Sequence, residues 1–272
     1  MSLVESLNVT LTRSQTLDEM GLSPQWTLRD DPAVGRRERK APAPVVAPPP
    51  ETVTPPVAKF EACIPDVLSA DSAKDRAELI ARMDWQQLHQ SMVECRACSL
   101  CSGRQRVVPG VGNEHAEWLF IGAGPGAEED ASGEAFVGPD GKLLDAMLAA
   151  IDLKRGENVY IANAVKCHSP AYLTPETPEI AACAPYLKRQ IELIQPKLLV
   201  LLGKAAVDAV LAHEVPLASL RRKPLTYRLG TREIPVVVTY HPAYLLRNLP
   251  DKSKAWEDLC HARAQMQAPA GK

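Results

Sequence analysis

No stretch of this 272-residue chain stays apolar for long. The longest runs, "KLLVLLG" and "IPVVVTY", fall far short of the roughly 20 residues that a membrane-spanning helix needs. The opening "MSLVESLNVTLTRSQ" lacks the apolar core of a secretory signal. A membrane or exported protein is therefore not expected, and a cytoplasmic setting is. There the seven cysteines read as thiols or metal ligands rather than disulfides, and the Asn8-Val9-Thr10 sequon reads as accidental. A strong charge of either sign is also missing. The formal net charge of −2 does not advertise a nucleic-acid binder, although a local cluster such as Arg221-Arg222-Lys223 can supply a field that the total hides. Internal repeats are absent too. So are the Walker lysine pattern and GxGxxG spacing, which sets aside the common nucleotide-phosphate loops.

What is present divides by composition. Residues 1–30 read as a tail in which "SQTLDEMGLSPQW" sets Leu17, Met20 and Leu22 at near-helical spacing, a candidate docking segment for another protein. Residues 31–74 read as a disordered, proline- and alanine-rich linker. Its stretch 42–56 holds seven prolines, too many for a helix or a central strand. Residues 75–265 carry the apolar patterning of a folded domain, and the chain's 46% hydrophobic content is ample for a core.

Within that domain, residues 75–93 place Leu79, Ile80, Met83, Leu88 and Met92 largely on one face, which predicts a single helix. Strand and helix signals then alternate. "EWLFIG", "NVYIANAV", "KLLVLLG" and "IPVVVTY" read as strands, and "GKLLDAMLAAI", "TPEIAACAPYLKRQIELI" and "KAAVDAVLA" as helices. This order predicts a three-layer αβα sandwich around a mostly parallel, four-stranded sheet, with the N-terminal extension disordered. Ligands of such sheets sit beyond the carboxyl ends of the strands. Those ends read "FIGAGPGAEEDASGEAFVG", "IANAVKCHSP" and "VTYHPAYLLRN", so glycines, an asparagine, a histidine and carboxylates share one rim.

Cysteine spacing adds a second feature. Cys95 and Cys98 form a CxxC, and Cys167 and Cys183 form a widely spaced pair, so four thiolates can converge on one centre. Ligand count alone leaves a [4Fe–4S] cluster and a four-thiolate zinc site both open. Cys101 is a fifth candidate.

Together these residues resemble the iron–sulfur, family 4 uracil-DNA glycosylases of the uracil-DNA glycosylase superfamily. The resemblance runs over about residues 88–262 and rests on "CRACSLCSGRQRVVPGVGN", "GPGAEEDASGEAFVG", "VYIANAVKC", "EIAACAPYLKRQIELIQPKLLVLLG" and "VTYHPAYLLR". It implies a [4Fe–4S] cluster of structural role on Cys95, Cys98, Cys167 and Cys183. It implies hydrolysis of the N-glycosidic bond of deoxyuridine in single- or double-stranded DNA, starting base-excision repair without a lysine-based lyase step. Asn163 then reads the flipped uracil, Phe136 stacks on it, and the backbone of Gly122, Gly124, Pro125 and Gly126 approaches it. His241 stabilises the charge developing at uracil O2, and Glu129 matches a second family carboxylate that sees the water or walls off the C5 edge. Tyr244, Leu245, Leu246 and Arg247 match the loop that enters the duplex. The protein is expected to act as a monomer.

The chain departs from the family at two places. Ala123 stands where the family carries a glutamate thought to help the attacking water, so a weakly active or inactive uracil-DNA binding protein is the alternative. "CHSPAYLTPETPE" replaces the usual Gly-Asn-Arg segment, and DNA contacts from that loop do not carry over. His168 lies outside any inserted basic loop of the kind that bonds covalently to DNA in a related branch.

Overall fold

The computed structural model describes residues 70–169, 174–211 and 215–267. The tail and all but the last residues of the linker lie outside the described residues. In place of one helix over 75–93 the chain forms α1 (Ala70–Ile80) and α2 (Trp85–Glu94). Asp84 makes the break. Its Oδ1 accepts from Gln87 N at 2.8 Å while Gln87 Oε1 accepts from Asp84 N at 3.1 Å, a reciprocal cap that starts a new helix. Ile80, Leu88 and Met92 still face inward, whereas Leu79, expected beside them, is 64% exposed.

A 3₁₀ turn (Ser99–Ser102) leads to β1 (Val111–Gly112), β2 (Trp118–Gly122), α3 (Ala127–Ser132), α4 (Pro139–Ala149) and β3 (Val159–Asn163). Then follow α5 (Thr177–Ile194), β4 (Leu198–Leu202), α6 (Lys204–Leu211), α7 (Leu217–Leu220), β5 (Leu225–Leu229) and β6 (Arg232–Thr239). The described chain closes with α8 (Pro242–Arg247), a 3₁₀ turn (Leu249–Asp251) and α9 (Lys252–Gln267). None of the described helices is long and apolar enough to cross a membrane.

The sheet runs β1-β3-β2-β4-β6-β5. Its four inner strands are the expected parallel core. Two antiparallel edge strands, β1 and β5, extend it to six. Every residue of β2, β3 and β4 is buried, because side chains alternate between two covered faces. Trp118, Phe120, Val159, Ile161, Leu198 and Val200 join one apolar cluster with Leu144 and Leu148 of α4 and Leu259 of α9. Leu119, Ile121, Tyr160, Leu199 and Leu201 join the other with Leu187 and Ile191 of α5 and Val207 of α6. That division is the three-layer sandwich.

The edges were less visible in the sequence. β1 is held by backbone fit: Gly112 has φ +135, and a Cβ there would lie 2.2 Å from Val159 O, so only glycine lets the strands meet. In β5, half-buried and exposed positions alternate. The register of the inner strands brings their carboxyl ends level, with Gly122 beside Asn163 and Leu202 beside Thr239. Gly203 N donates to Thr239 O at 2.9 Å, so the residues just after β2, β3, β4 and β6 share one rim.

Candidate active site

Asn163 is the last residue of β3 and is 2% exposed, yet its Oδ1 is buried without a hydrogen-bond partner among the described residues. His241 has the same property. It caps α8, accepting from Ala243 N through Nδ1 at 3.2 Å, which assigns the ring proton to Nε2. That Nε2 is buried and, among the described residues, unpartnered. Buried polar atoms are normally paired, and an unpaired donor and an unpaired acceptor at one sheet rim mark a site built for a ligand. Burial pushes His241 down from 6.5 to about 4; Glu129 opposes this shift and Arg247 adds to it. The imidazole is therefore neutral at physiological pH.

Phe136 joins them. Its ring packs against His241 with centroids 5.5 Å apart, and its backbone sits at φ +57, a strained value for a bulky residue. Arg155 pins this turn, donating to Ala135 O at 2.7 Å and to Phe136 O at 2.9 Å, with Asp145 fixing the guanidinium from Nε at 2.9 Å. A Cβ at Gly141 would lie 1.9 Å from Phe136 O. At Gly122 a Cβ would fall 2.5 Å from Asn163 Oδ1 and 2.6 Å from Phe136 Cζ, so this glycine leaves room for both side chains.

Glu129 ties the two rim loops together. Its Oε2 accepts from Gly126 N at 2.9 Å, and its Oε1 accepts from Val137 N at 3.0 Å and Gly138 N at 3.3 Å. The carboxylate is 5% exposed, so both oxygens are engaged by backbone N–H groups. Pro125 is buried, Gly124 and Gly126 lie on the same turn, and His168 Nδ1 is 2.9 Å from Pro125 O. Ala123 packs against an apolar cluster containing Leu100 and Val165.

The segment after His241 sorts its residues differently from expectation. Leu245 is 1% exposed and belongs to the interior, a correction that follows from its place on the inward face of α8. Tyr244 stacks on Tyr240 at 5.0 Å and donates its hydroxyl to Asp251 at 2.6 Å. Leu246 remains 40% exposed beside the exposed Arg247, and Leu249 is 60% exposed one turn on. Of the basic triplet, Arg221 turns inward to Asp258 at 2.7 Å and lies over the Tyr240 ring.

Cys95, Cys98, Cys167 and Cys183 are free thiols. Electrostatic interactions link Cys95 with Cys98, Cys167 and Cys183, and Cys167 with Cys98 and Cys183. Arg104 donates to Cys167 Sγ at 3.1 Å and Arg76 to Cys95 Sγ at 3.5 Å. Burial raises the thiols of Cys98 and Cys167 and pushes Cys183 up to about 12, so these sulfurs ionise only with a cation to hold them. Among the described residues no His, Cys, Asp or Glu group is gathered tightly enough for a single metal ion. The donor set, four free thiols with cationic neighbours, fits an iron–sulfur cluster.

Arg155 lies outside the motifs, and Lys166 and Arg104 lie within "VYIANAVKC" and "CRACSLCSGRQRVVPGVGN", but what each of the three holds is revealed only by the fold. The sequence signal for Asn163 and His241 was their shared place at strand ends, whereas Phe136 was pointed to only by the family resemblance of "AFVG".

Comparison with known proteins agrees with this geometry. The profile of the uracil DNA glycosylase superfamily matches residues 109–260. A type-4 uracil-DNA glycosylase of Thermotoga maritima is 42% identical over 156 residues, covering 57% of this chain and 79% of that protein. One from Sulfurisphaera tokodaii is 37% identical over 177 residues, covering 64% and 80%. A type-5 uracil-DNA glycosylase of Thermus thermophilus is 29% identical over 179 residues, covering 54% and 80%. With its rim residues, its four thiols and these relatives in agreement, the chain belongs to the uracil DNA glycosylase superfamily, on the type-4 branch.

Proposed function

We propose that this protein is a monofunctional uracil-DNA glycosylase that hydrolyses the N-glycosidic bond of deoxyuridine in DNA and so starts base-excision repair. The observation that carries this reading is the pair of buried, unpartnered atoms, Asn163 Oδ1 and His241 Nε2, at one rim. Uracil is complementary to both. Its N3–H donates to Asn163 Oδ1, a contact that cytosine, with an acceptor at N3, does not make; one such mismatch is worth roughly 1–3 kcal/mol. Its O2 gains negative charge as the bond breaks, and neutral His241 donates Nε2–H there. Phe136 supplies the stacking surface for a flipped base. Glu129 holds the loops on either side, and its charge, which reaches His241, favours positive charge on the sugar as the uracil anion departs with the bond's electron pair. Water then captures the sugar.

The thiols of Cys95, Cys98, Cys167 and Cys183 hold a [4Fe–4S] cluster of structural role in this reading. Support comes from their mutual electrostatic interactions and from the guanidinium groups at Cys95 and Cys167. Leu246 enters the duplex where the base has left, Arg247 contacts a phosphate, and Tyr244 braces the wedge through Tyr240 and Asp251. The catalytic unit is residues 75–265, acting as a monomer in the cytoplasm.

Single-turnover release of uracil from single- and double-stranded oligonucleotides tests the proposal. Release above the buffer rate is expected, and its absence overturns the reading. In the same assay Ala123→Glu is expected to gain at most about tenfold, below the 10²–10⁴ of a well-placed base. Position 123 packs its methyl group into the cluster of Leu100 and Val165, so a longer side chain must turn away from that cluster before it reaches the water. Gly122→Ala is expected to slow release about tenfold, since overpacking costs roughly 1–3 kcal/mol and the added methyl meets Asn163 and Phe136 together.

A further inference from the structure

Phe136 is held in a backbone conformation that its own side chain disfavours. Its φ of +57 crowds Cβ against a neighbouring carbonyl, a cost equal to a factor of about 5–30 against the strained form. Such residues persist only where the surroundings over-determine them. Here one group ties down both peptide planes that meet at the Phe136 Cα. Arg155 donates from Nη1 to Ala135 O at 2.7 Å and from Nη2 to Phe136 O at 2.9 Å. Since φ and ψ are the rotations of those two planes, a rigid planar fork on both oxygens fixes both angles together. The far edge of the second plane is held as well, because Val137 N donates to Glu129 Oε1 at 3.0 Å. Arg155 comes from the segment between α4 and β3, and its side chain is 19% exposed. Asp145 of α4 accepts from its Nε at 2.9 Å and so sets the plane of the fork.

We infer that Arg155 is a positioning residue for base stacking: by fixing both peptide planes around Phe136 it imposes the left-handed conformation that sets the aromatic ring at the pocket. This rests on the stacking role proposed above for Phe136. In the observed conformation the ring lies 5.5 Å from that of His241, and Cζ reaches to 2.6 Å from where a Cβ on Gly122 would stand. Relaxation to an ordinary negative φ would swing the ring about the N–Cα bond by roughly 100° or more and carry it out of that place. The stack then depends on a residue that touches no substrate. Phe136→Gly removes the need for the clamp along with the ring, because glycine accepts a positive φ at no steric cost. That separates an arginine that holds Phe136 from one that supports the fold in general.

The test is a double-mutant cycle in full-length protein: the parent, Arg155→Met, Phe136→Gly and the pair, each read by single-turnover uracil release and by inhibition of that release with free uracil. Phe136→Gly is expected to weaken inhibition by at least about fivefold, the low end of what one base–aromatic stack is worth. Arg155→Met is expected to weaken it by at least about fivefold as well, since the ring leaves the same stack. On top of Phe136→Gly, Arg155→Met is expected to add less than about twofold, because two changes that remove one interaction do not add. Equal factors in both backgrounds make Arg155 a general support and overturn the inference. So does Arg155→Met with slower release but parental inhibition by uracil. Should Arg155→Met fail to fold, Arg155→Lys takes its place in the same cycle. It keeps the stem and the charge, but a point charge cannot hold two carbonyls and a carboxylate in one plane, and equal factors or parental inhibition there overturn the inference too. Parental inhibition in Phe136→Gly overturns the stacking role and the inference with it, while the proposed reaction stands. A parent without excision overturns the proposed function itself.

Discussion

Replacing His241 by alanine is expected to slow single-turnover uracil release by about 10²–10³, the usual loss when one preorganised donor to a developing oxyanion is removed. The ring is ready before substrate arrives. Ala243 N–H occupies Nδ1, so Nε2 carries the proton and remains buried without a partner. Because burial holds the imidazole near 4, the donor is neutral across the working range, and the rate profile should show no histidine limb near pH 6.5. Protonation near pH 4 would add a hydrogen at Nδ1, break the contact with Ala243 and place the acid limb there. Stability follows the same group. Between about pH 6.5 and 4 the unfolded chain binds a proton at His241 that the folded chain refuses, so stability falls as the pH drops through that window and is kept above it. His241→Ala should flatten this part of the melting-temperature profile. A rate within threefold of the parent, or an unchanged acid slope, would remove His241 from the role assigned to it.

The route from sequence to this site was uneven, for physical reasons. The inner strands were legible because burial on both faces demands unbroken apolar runs, as in Leu198–Leu202. β5 was not, since "LTYRL" covers the sheet on one side only and reads as a half-polar segment. The break between α1 and α2 was hidden because Asp84 and Gln87 act through side-chain to backbone bonds, while the apolar spacing of Ile80 and Leu88 continues across the gap. At the rim, Asn163 and His241 could be placed by topology alone. The groups that hold them could not. Arg155 reaches the Phe136 turn from beyond α4, and Lys166 meets Gln190 across α5, so both depend on packing that no local pattern encodes. Leu245 shows the opposite limit: the motif "PAYLLR" contains two adjacent leucines, and only the helix turn decided which of them points outward.

Glu129 gives the second large effect, and it separates two roles that one carboxylate can have. A residue that only activates water should lose rate and keep its fold when changed to glutamine. Glu129 instead accepts from Gly126, Val137 and Gly138, and these three N–H groups close the two loops around the pocket. Glu129→Leu leaves all three without their acceptor, at about 1–3 kcal/mol each. A total loss of at least about 3 kcal/mol is expected, which for a domain of this size lowers the melting temperature by about 6–12 °C. Glu129→Gln should fall between leucine and the parent. Its remaining oxygen can serve Val137 and Gly138, but its amide then faces Gly126 N–H, donor against donor. Phe136 lies immediately before Val137, so loosening this staple should also slow uracil release in both variants, in step with the melting temperature. Full thermal stability in Glu129→Gln with a large loss of rate would instead assign the carboxylate to the water. The present geometry predicts the reverse order, in which Glu129 acts on the reaction mainly by keeping Phe136 and the Gly126 turn where the base must enter.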